Sequence, residues 1–352
     1  MRSRFVLCAL AIVAPACSSP TYVLRQAAGQ LSVLTKRVKI TEVLKRPTLS
    51  TDHRQKLQLV LLARKFAHGQ IGLRLTGAYT YYYDTKGRPV AYNLSAAPKD
   101  SLRPRLWTFP IVGSLPYIGF FDRAQGLKRR KDLDAEGLDT HYRPVPAYSS
   151  LGWFDDPVYS SMLDADPWRL VEVVIHETTH TTLFLRNRVA FNESLAVFVG
   201  QQGALNMAAQ LLGRHSETVK KLQQKIGRRR RFGRLVSRLY RRLKRLYAQP
   251  LSREKKLAQR EVHFAWARSR YKKIFVDPKT WGSFVRRPLN NAILLSYGRY
   301  NQGLRFHRRA YHALGNDLAR LVRLYRHAQH FGDPIAYVGW RLNISLPRGQ
   351  RM

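Results

Sequence analysis

The sequence predicts an α+β protein, mostly α, in which a small antiparallel sheet precedes two consecutive helices and a long basic helical hairpin. Three observations predict it. Apolar residues recur at helical spacing from residue 167 almost to the end, and β-favouring aromatics gather between residues 79 and 153. Asp166-Pro167, a helix-start signal, marks the change from one regime to the other.

Residues 1–16 stand apart as a signal peptide. Arg2 and Arg4 precede an apolar run over residues 5–13, followed by Ala14-Pro15-Ala16 and then Cys17. The run is too short for a spanning helix, which needs about 20 residues. Bacterial lipoproteins are cleaved and lipidated at a cysteine after small residues, so Cys17 is the expected lipid anchor. The expected address is the bacterial cell envelope, on a membrane facing the periplasm or exterior. Pro15 loosens that motif, and plain cleavage after Ala16 with free secretion is the alternative. Cys8, the only other cysteine, lies in the segment to be removed, so the mature chain has no internal disulfide. About 335 residues then remain, enough for one large domain or two modest ones.

A net charge of +40 attracts anionic surfaces and polymers and says nothing of the fold. Export argues against nucleic acid and toward anionic lipids or envelope polymers as partners. Arginines spread over a solvated surface, with no partner, are the plainer account.

In chain order, residues 17–70 read as an N-terminal helical segment, with Leu31, Leu34, Val38 and Ile40 on one face and a second stretch at 56–68. Residues 71–213 form the expected catalytic core. Its first part reads as strands: 79–83 and 90–93 as a hairpin about a Lys86-Gly87 turn, then 107–112, 117–121 and 148–153. A helix follows over 168–185, with Asn187 marking its end, and another over 191–212, closed by Gly213. Residues 214–275 form the basic hairpin, broken at Pro250. There Leu235, Val236, Leu239, Leu243 and Leu246 make an apolar stripe, and arginines take the other faces. Residues 276–352 return as helices to the catalytic part.

The chemistry is concentrated in His176-Glu177-Thr178-Thr179-His180. On a helix, residues four apart share a face one turn apart, so both imidazoles can address one ion. Glu177, beside the first, can then act on a water as general base. Phe191-Asn192-Glu193 supplies a third ligand, because antiparallel helices joined by a short turn at 186–190 bring Glu193 back toward the histidines. A helix-start glutamate that merely compensates the dipole is the alternative for Glu193. Two histidines and one carboxylate leave a fourth tetrahedral position open, as in catalytic rather than structural zinc sites. Zn2+ is therefore the expected cofactor. Tyr148, Ser149, Ser150, Leu151 and Gly152 read as an edge strand that would hold an extended peptide by main-chain pairing, with Asn192 as a further substrate contact. A core strand is the alternative there.

Together, residues 26–30, Ala96-Ala97-Pro98, Trp107-Thr108-Phe109-Pro110, Pro116-Tyr117, residues 147–157, the His176 to His180 pentapeptide, Phe191-Asn192-Glu193 and Asn290-Asn291-Ala292 resemble the bacterial family of predicted zinc aminopeptidases. The likeness covers nearly the whole mature chain. It implies a zincin-like fold, zinc on His176, His180 and Glu193, Glu177 as catalytic acid/base, and a peptide substrate. The Asn-Glu pair is also similar to that of glutamate-zincins more widely. Where the family often has cysteines this chain has Thr108 and Ser114, so a disulfide or thiol role there is absent. A second electrophile commonly assists such enzymes; Tyr300 is the candidate and Tyr297 the rival, with packing the alternative for both. Two other function classes fit the same residues: a membrane-surface binding module carried by the basic hairpin, and a zinc hydrolase of a non-peptide amide.

Overall fold

The computed structural model describes residues 20–109, 113–145, 154–275, 282–301 and 303–346. Cys17 and the strand expected over Tyr148, Ser149, Ser150, Leu151 and Gly152 lie outside the described residues. The chain opens with α1 (Pro20–Lys36), β1 (Val38–Lys39), α2 (Ile40–Val43) and α3 (Thr51–Gly69). Short strands follow: β2 (Tyr81–Tyr83), β3 (Ala91–Pro98), β4 (Trp107–Phe109), β5 (Gly113–Leu115) and β6 (Ile118–Phe120). Then come α4 (Arg123–Ala135), β7 (Leu138–Val145) and β8 (Val158–Tyr159). The rest is helical: α5 (Pro167–Thr182), α6 (Val189–Leu212), α7 (Glu217–Tyr247), α8 (Arg253–Ile274), α9 (Gly282–Arg286), α10 (Asn291–Asn301), α11 (Leu304–Ala313), α12 (Leu318–Ala328) and α13 (Pro334–Arg341). This is the mostly helical α+β class that the patterning predicts.

The hairpin expected over 79–93 does not form. β2 pairs antiparallel with β1 and parallel with β8, whereas β3 lies between β6 and β7 in a separate antiparallel sheet. The turn itself is present, with Lys86 and Gly87 at positive φ. What redirects the chain is Thr85, whose amide and hydroxyl both meet Ser160 Oγ at 2.9 Å just after β8. Turn chemistry fixes a reversal but not the partner of the strand that leaves it. The expected face in residues 17–70 also breaks up, because Val38 joins β1 and Leu31 is exposed. In the third sheet Thr108 opposes Ser114, and their hydroxyls are 3.0 Å apart.

Packing centres on α6. Its residues Phe191, Leu195, Phe198, Val199 and Met207 are buried, each worth about 1.5–3 kcal/mol of apolar transfer. They meet α5, which also packs on α3, and further faces of α6 meet α7, α10, α11 and α12. Asp166 caps α5 by accepting from Arg169 N at 3.0 Å, with Pro167 in the first turn, and Gly213 ends α6 at φ +85.

The basic hairpin is α7 and α8. Leu235, Val236, Leu239, Leu243 and Leu246 are buried as the stripe predicts, in a second core with Phe232, Phe264, Tyr271 and Phe284. Ion pairs to two buried carboxylates tie the hairpin to the rest. Arg229 of α7 bonds Glu172 of α5, and Arg260 of α8 reaches Asp139 of β7 at 2.8 Å. Asp139 also accepts from Asn291 N, at the start of α10, at 2.9 Å.

Candidate metal centre

α5 buries Leu170, Val171, Val174 and Ile175, which fixes its rotation and turns His176 and His180 toward α6. Thr178 and Thr179 satisfy their hydroxyls on their own helix, at 2.7 Å to Val174 O and 2.8 Å to Ile175 O. The short return to α6 is held twice. Asn187, at φ +63, accepts from Ser114 N at 2.8 Å, tying the turn to β5. Asn192 accepts from Leu185 N at 2.9 Å and donates to Leu185 O at 2.8 Å. Further along, a Cβ on Gly200 of α6 would stand 2.7 Å from Glu172 O and 3.2 Å from His176 Cβ. The two helices therefore approach more closely there than any side chain allows.

The consequence is convergence. His176 Nε2 and His180 Nε2 are 3.2 Å apart, and Glu193 Oε2 lies 3.5 Å from the first and 3.7 Å from the second. Ligand atoms about 2.0–2.2 Å from a shared tetrahedral centre lie roughly 3.3–3.6 Å from each other. The donor set and its spacing thus suit a cation of that kind, and this is the one such group of three among the described residues. Glu177 Oε1 is 4.0 Å from His176 Nε2. The centre is open on one side: His180 is 4 % exposed, whereas the His176 and Glu177 side chains keep 16 % and 18 %. Nδ1 of His180 is buried without a hydrogen-bond partner among the described residues. Its ring is held instead by edge-on packing, 4.8 Å from His176 and 6.3 Å from Phe184 between centroids.

The electrostatics agree with the geometry. Burial alone would raise the Glu193 carboxyl, but hydrogen bonding and attraction from His176 and His180 hold it well below the usual carboxylate range. Burial would likewise lower His180, and the bond to Glu193 holds it above the ordinary histidine value. Protons shared in such a cluster are what a divalent cation displaces.

Three phenols feel the charge of this centre. Tyr300 is raised by burial and by Glu193, against Arg143 and Arg299, with Glu177 adding to the rise. Tyr117 is raised by burial, Glu193 and Tyr300. Tyr79, buried at φ +61, is raised by burial and Glu177.

Of the residues that the sequence singles out, His176, Glu177, His180 and Glu193 come together, and Tyr300 is within reach of the charges of Glu193 and Glu177. Tyr297 does not: it packs 5.1 Å from Phe232 in the second core. Asn192 is 2 % exposed with its amide engaged on Leu185, so it braces the turn and is not placed as a substrate contact. Tyr117 and Tyr79 carried no functional expectation. Pro116-Tyr117 stood out only as part of the family likeness, and nothing local marks Tyr79.

The chain matches a protein-family model described as putative aminopeptidase over residues 21–333. No curated protein and no solved structure matches it.

Proposed function

The chain belongs to the putative aminopeptidase family, and on that premise we propose that it is a zinc-dependent peptidase. His176, His180 and Glu193 hold the metal, and Glu177 is the general base. The carrying observation is that three ligand atoms from consecutive helices lie within 3.2–3.7 Å of one another, with Glu177 beside them.

Zinc bound there would supply Lewis acidity, polarising the scissile carbonyl and making water acidic near neutral pH. Glu177 takes the proton of the attacking water and returns it to the leaving amine. Tyr300, with Tyr117 near it, donates toward the oxygen that becomes negative. Burial and the neighbouring carboxylates keep both phenols protonated, the state that a donor needs.

The same proposal keeps Tyr148, Ser149, Ser150, Leu151 and Gly152 as contacts of a peptide substrate. It also keeps lipidated Cys17 as the anchor in the bacterial cell envelope, with outward arginines of α7 against anionic lipids or envelope polymers. Among the described residues no helix is long and apolar enough to cross a membrane. The test is elemental analysis of the purified mature chain with turnover of a fluorogenic peptide library. One zinc per chain, and activity lost on chelation and restored by zinc, support the reading. Full activity in metal-free protein overturns it.

A further inference from the structure

Three Lys or Arg side chains are buried among the described residues: Lys56, Arg260 and Arg299. A cation taken out of water needs a counter-charge. Lys56 has Asp52 at 2.8 Å, and Arg260 has Asp139 at 2.8 Å. Arg299, 7 % exposed, has no carboxylate oxygen within 4.0 Å among the described residues. Among the described residues one of its five donors is used, in a 3.3 Å bond to Pro116 O, and its guanidinium lies 4.9 Å from the Tyr117 ring centroid.

Its place in the fold makes this informative. Arg299 directly precedes Tyr300 on α10, which packs on α6, β3 and β7. β7 brings in Arg143, half-buried, with no side-chain hydrogen bond or ion pair among the described residues. Four residues beyond Arg299, a Cβ on Gly303 would stand 2.9 Å from the hydroxyl of Ser194, the neighbour of Glu193, and both arginines act on the Tyr300 phenol, as do Glu193 and Glu177. Both also act on His141, two residues before Arg143.

We propose that Arg299, assisted by Arg143, forms a carboxylate-binding subsite of the metal centre, and that the substrate is a peptide anchored through a carboxylate. The carboxylate is a free C-terminus or an acidic side chain. A guanidinium fork matches a carboxylate in geometry as well as charge. This rests on the peptidase reading above.

The test uses the zinc-loaded full chain with Ala-Ala-Ala, its C-terminal amide, and Ala-Asp-Ala amide. At least one carboxylate-bearing peptide should exceed Ala-Ala-Ala amide in kcat/KM by about tenfold or more, mainly through KM. The one that does so identifies the source. In Arg299→Gln, checked for folding by near-ultraviolet dichroism, the ratio should fall toward one. Should that variant not fold, Arg299→Lys and Arg143→Gln carry the same comparison, and the ratio must fall in whichever folds. Equal kcat/KM for all three peptides, or an unchanged ratio in a folded variant, overturns the proposal. Calorimetry of the same peptides on zinc-loaded Glu177→Gln separates the two readings. Carboxylate-selective binding without any cleavage by the wild type keeps the subsite and sinks the peptidase, and cleavage without selectivity does the reverse. Absence of both binding and cleavage overturns both.

Discussion

Glu177 and Glu193 sit a few ångströms apart and have opposite duties, so their substitutions should separate. Glu177→Gln keeps the three ligands and should bind zinc at one per chain while turnover falls about 10²–10⁴-fold, the usual scale for a lost general base. Glu193→Ala removes a ligand and should weaken zinc affinity by more than the roughly 10–100-fold seen for supporting residues, as competition with a chromogenic chelator would measure. Equal zinc loss in both would reject the division of roles. Glu172 tests the frame rather than the chemistry. Burial opposes its charge, yet Arg229, Arg169 and Lys225 lower its pKa to about 2. The carboxylate's contribution is therefore complete above the ordinary glutamate pKa of about 4.3 and is lost as pH falls through about 2. Glu172→Gln should cost about 3–5 kcal/mol at pH 7, and urea titrations should show the gap to wild type narrowing toward pH 2. The ligands were legible in the sequence because four-residue spacing on one helix is a local fact. Tyr117 and Tyr79 were not, since their coupling to Glu193 and Glu177 comes from the β5–β6 connection and the approach to β2, which only the tertiary fold sets beside α5 and α6.

Gly200 sets the distance between α5 and α6, and it can be removed alone. Gly200→Ala places a methyl against Glu172 O and His176 Cβ. It should cost about 1–3 kcal/mol as overpacking and lower zinc affinity, whereas alanine at the exposed Gly69, where nothing lies within 4 Å, should leave zinc affinity unchanged. Chemical denaturation with and without zinc would show whether the two losses travel together. The helix limits were largely readable, because Asp166-Pro167, Asn187 and Gly213 are chemical stops and starts. The strands were less so. α4 and β7 went unpredicted: α4 buries only Gly126 and Leu133, and β7 carries Asp139, His141, Arg143 and Pro144, so neither shows the periodicity from which an element is recognised.

At the scale of the whole molecule the charge of +40 and the metal centre are separable. Arg231, Arg234, Arg238, Arg241 and Arg245 of α7 are exposed, and the stripe facing α8 does the packing. Changing these five to glutamine should weaken binding to anionic vesicles by about 1 kcal/mol per charge near the surface, read by co-sedimentation, with small-peptide turnover intact. Loss of turnover in step with vesicle binding would mean that the hairpin belongs to the active site. Composition foretold the basic exterior, but not that Arg229 and Arg260 turn inward to bind Glu172 and Asp139, since burial of an arginine depends on where its carboxylate sits. The most direct measurement is the crystal structure of the zinc-loaded chain with anomalous data at the zinc edge. The account predicts a single strong peak about 2.0–2.2 Å from His176 Nε2, His180 Nε2 and Glu193 Oε2. A peak elsewhere, or one at the histidines with Glu193 turned away, would contradict it.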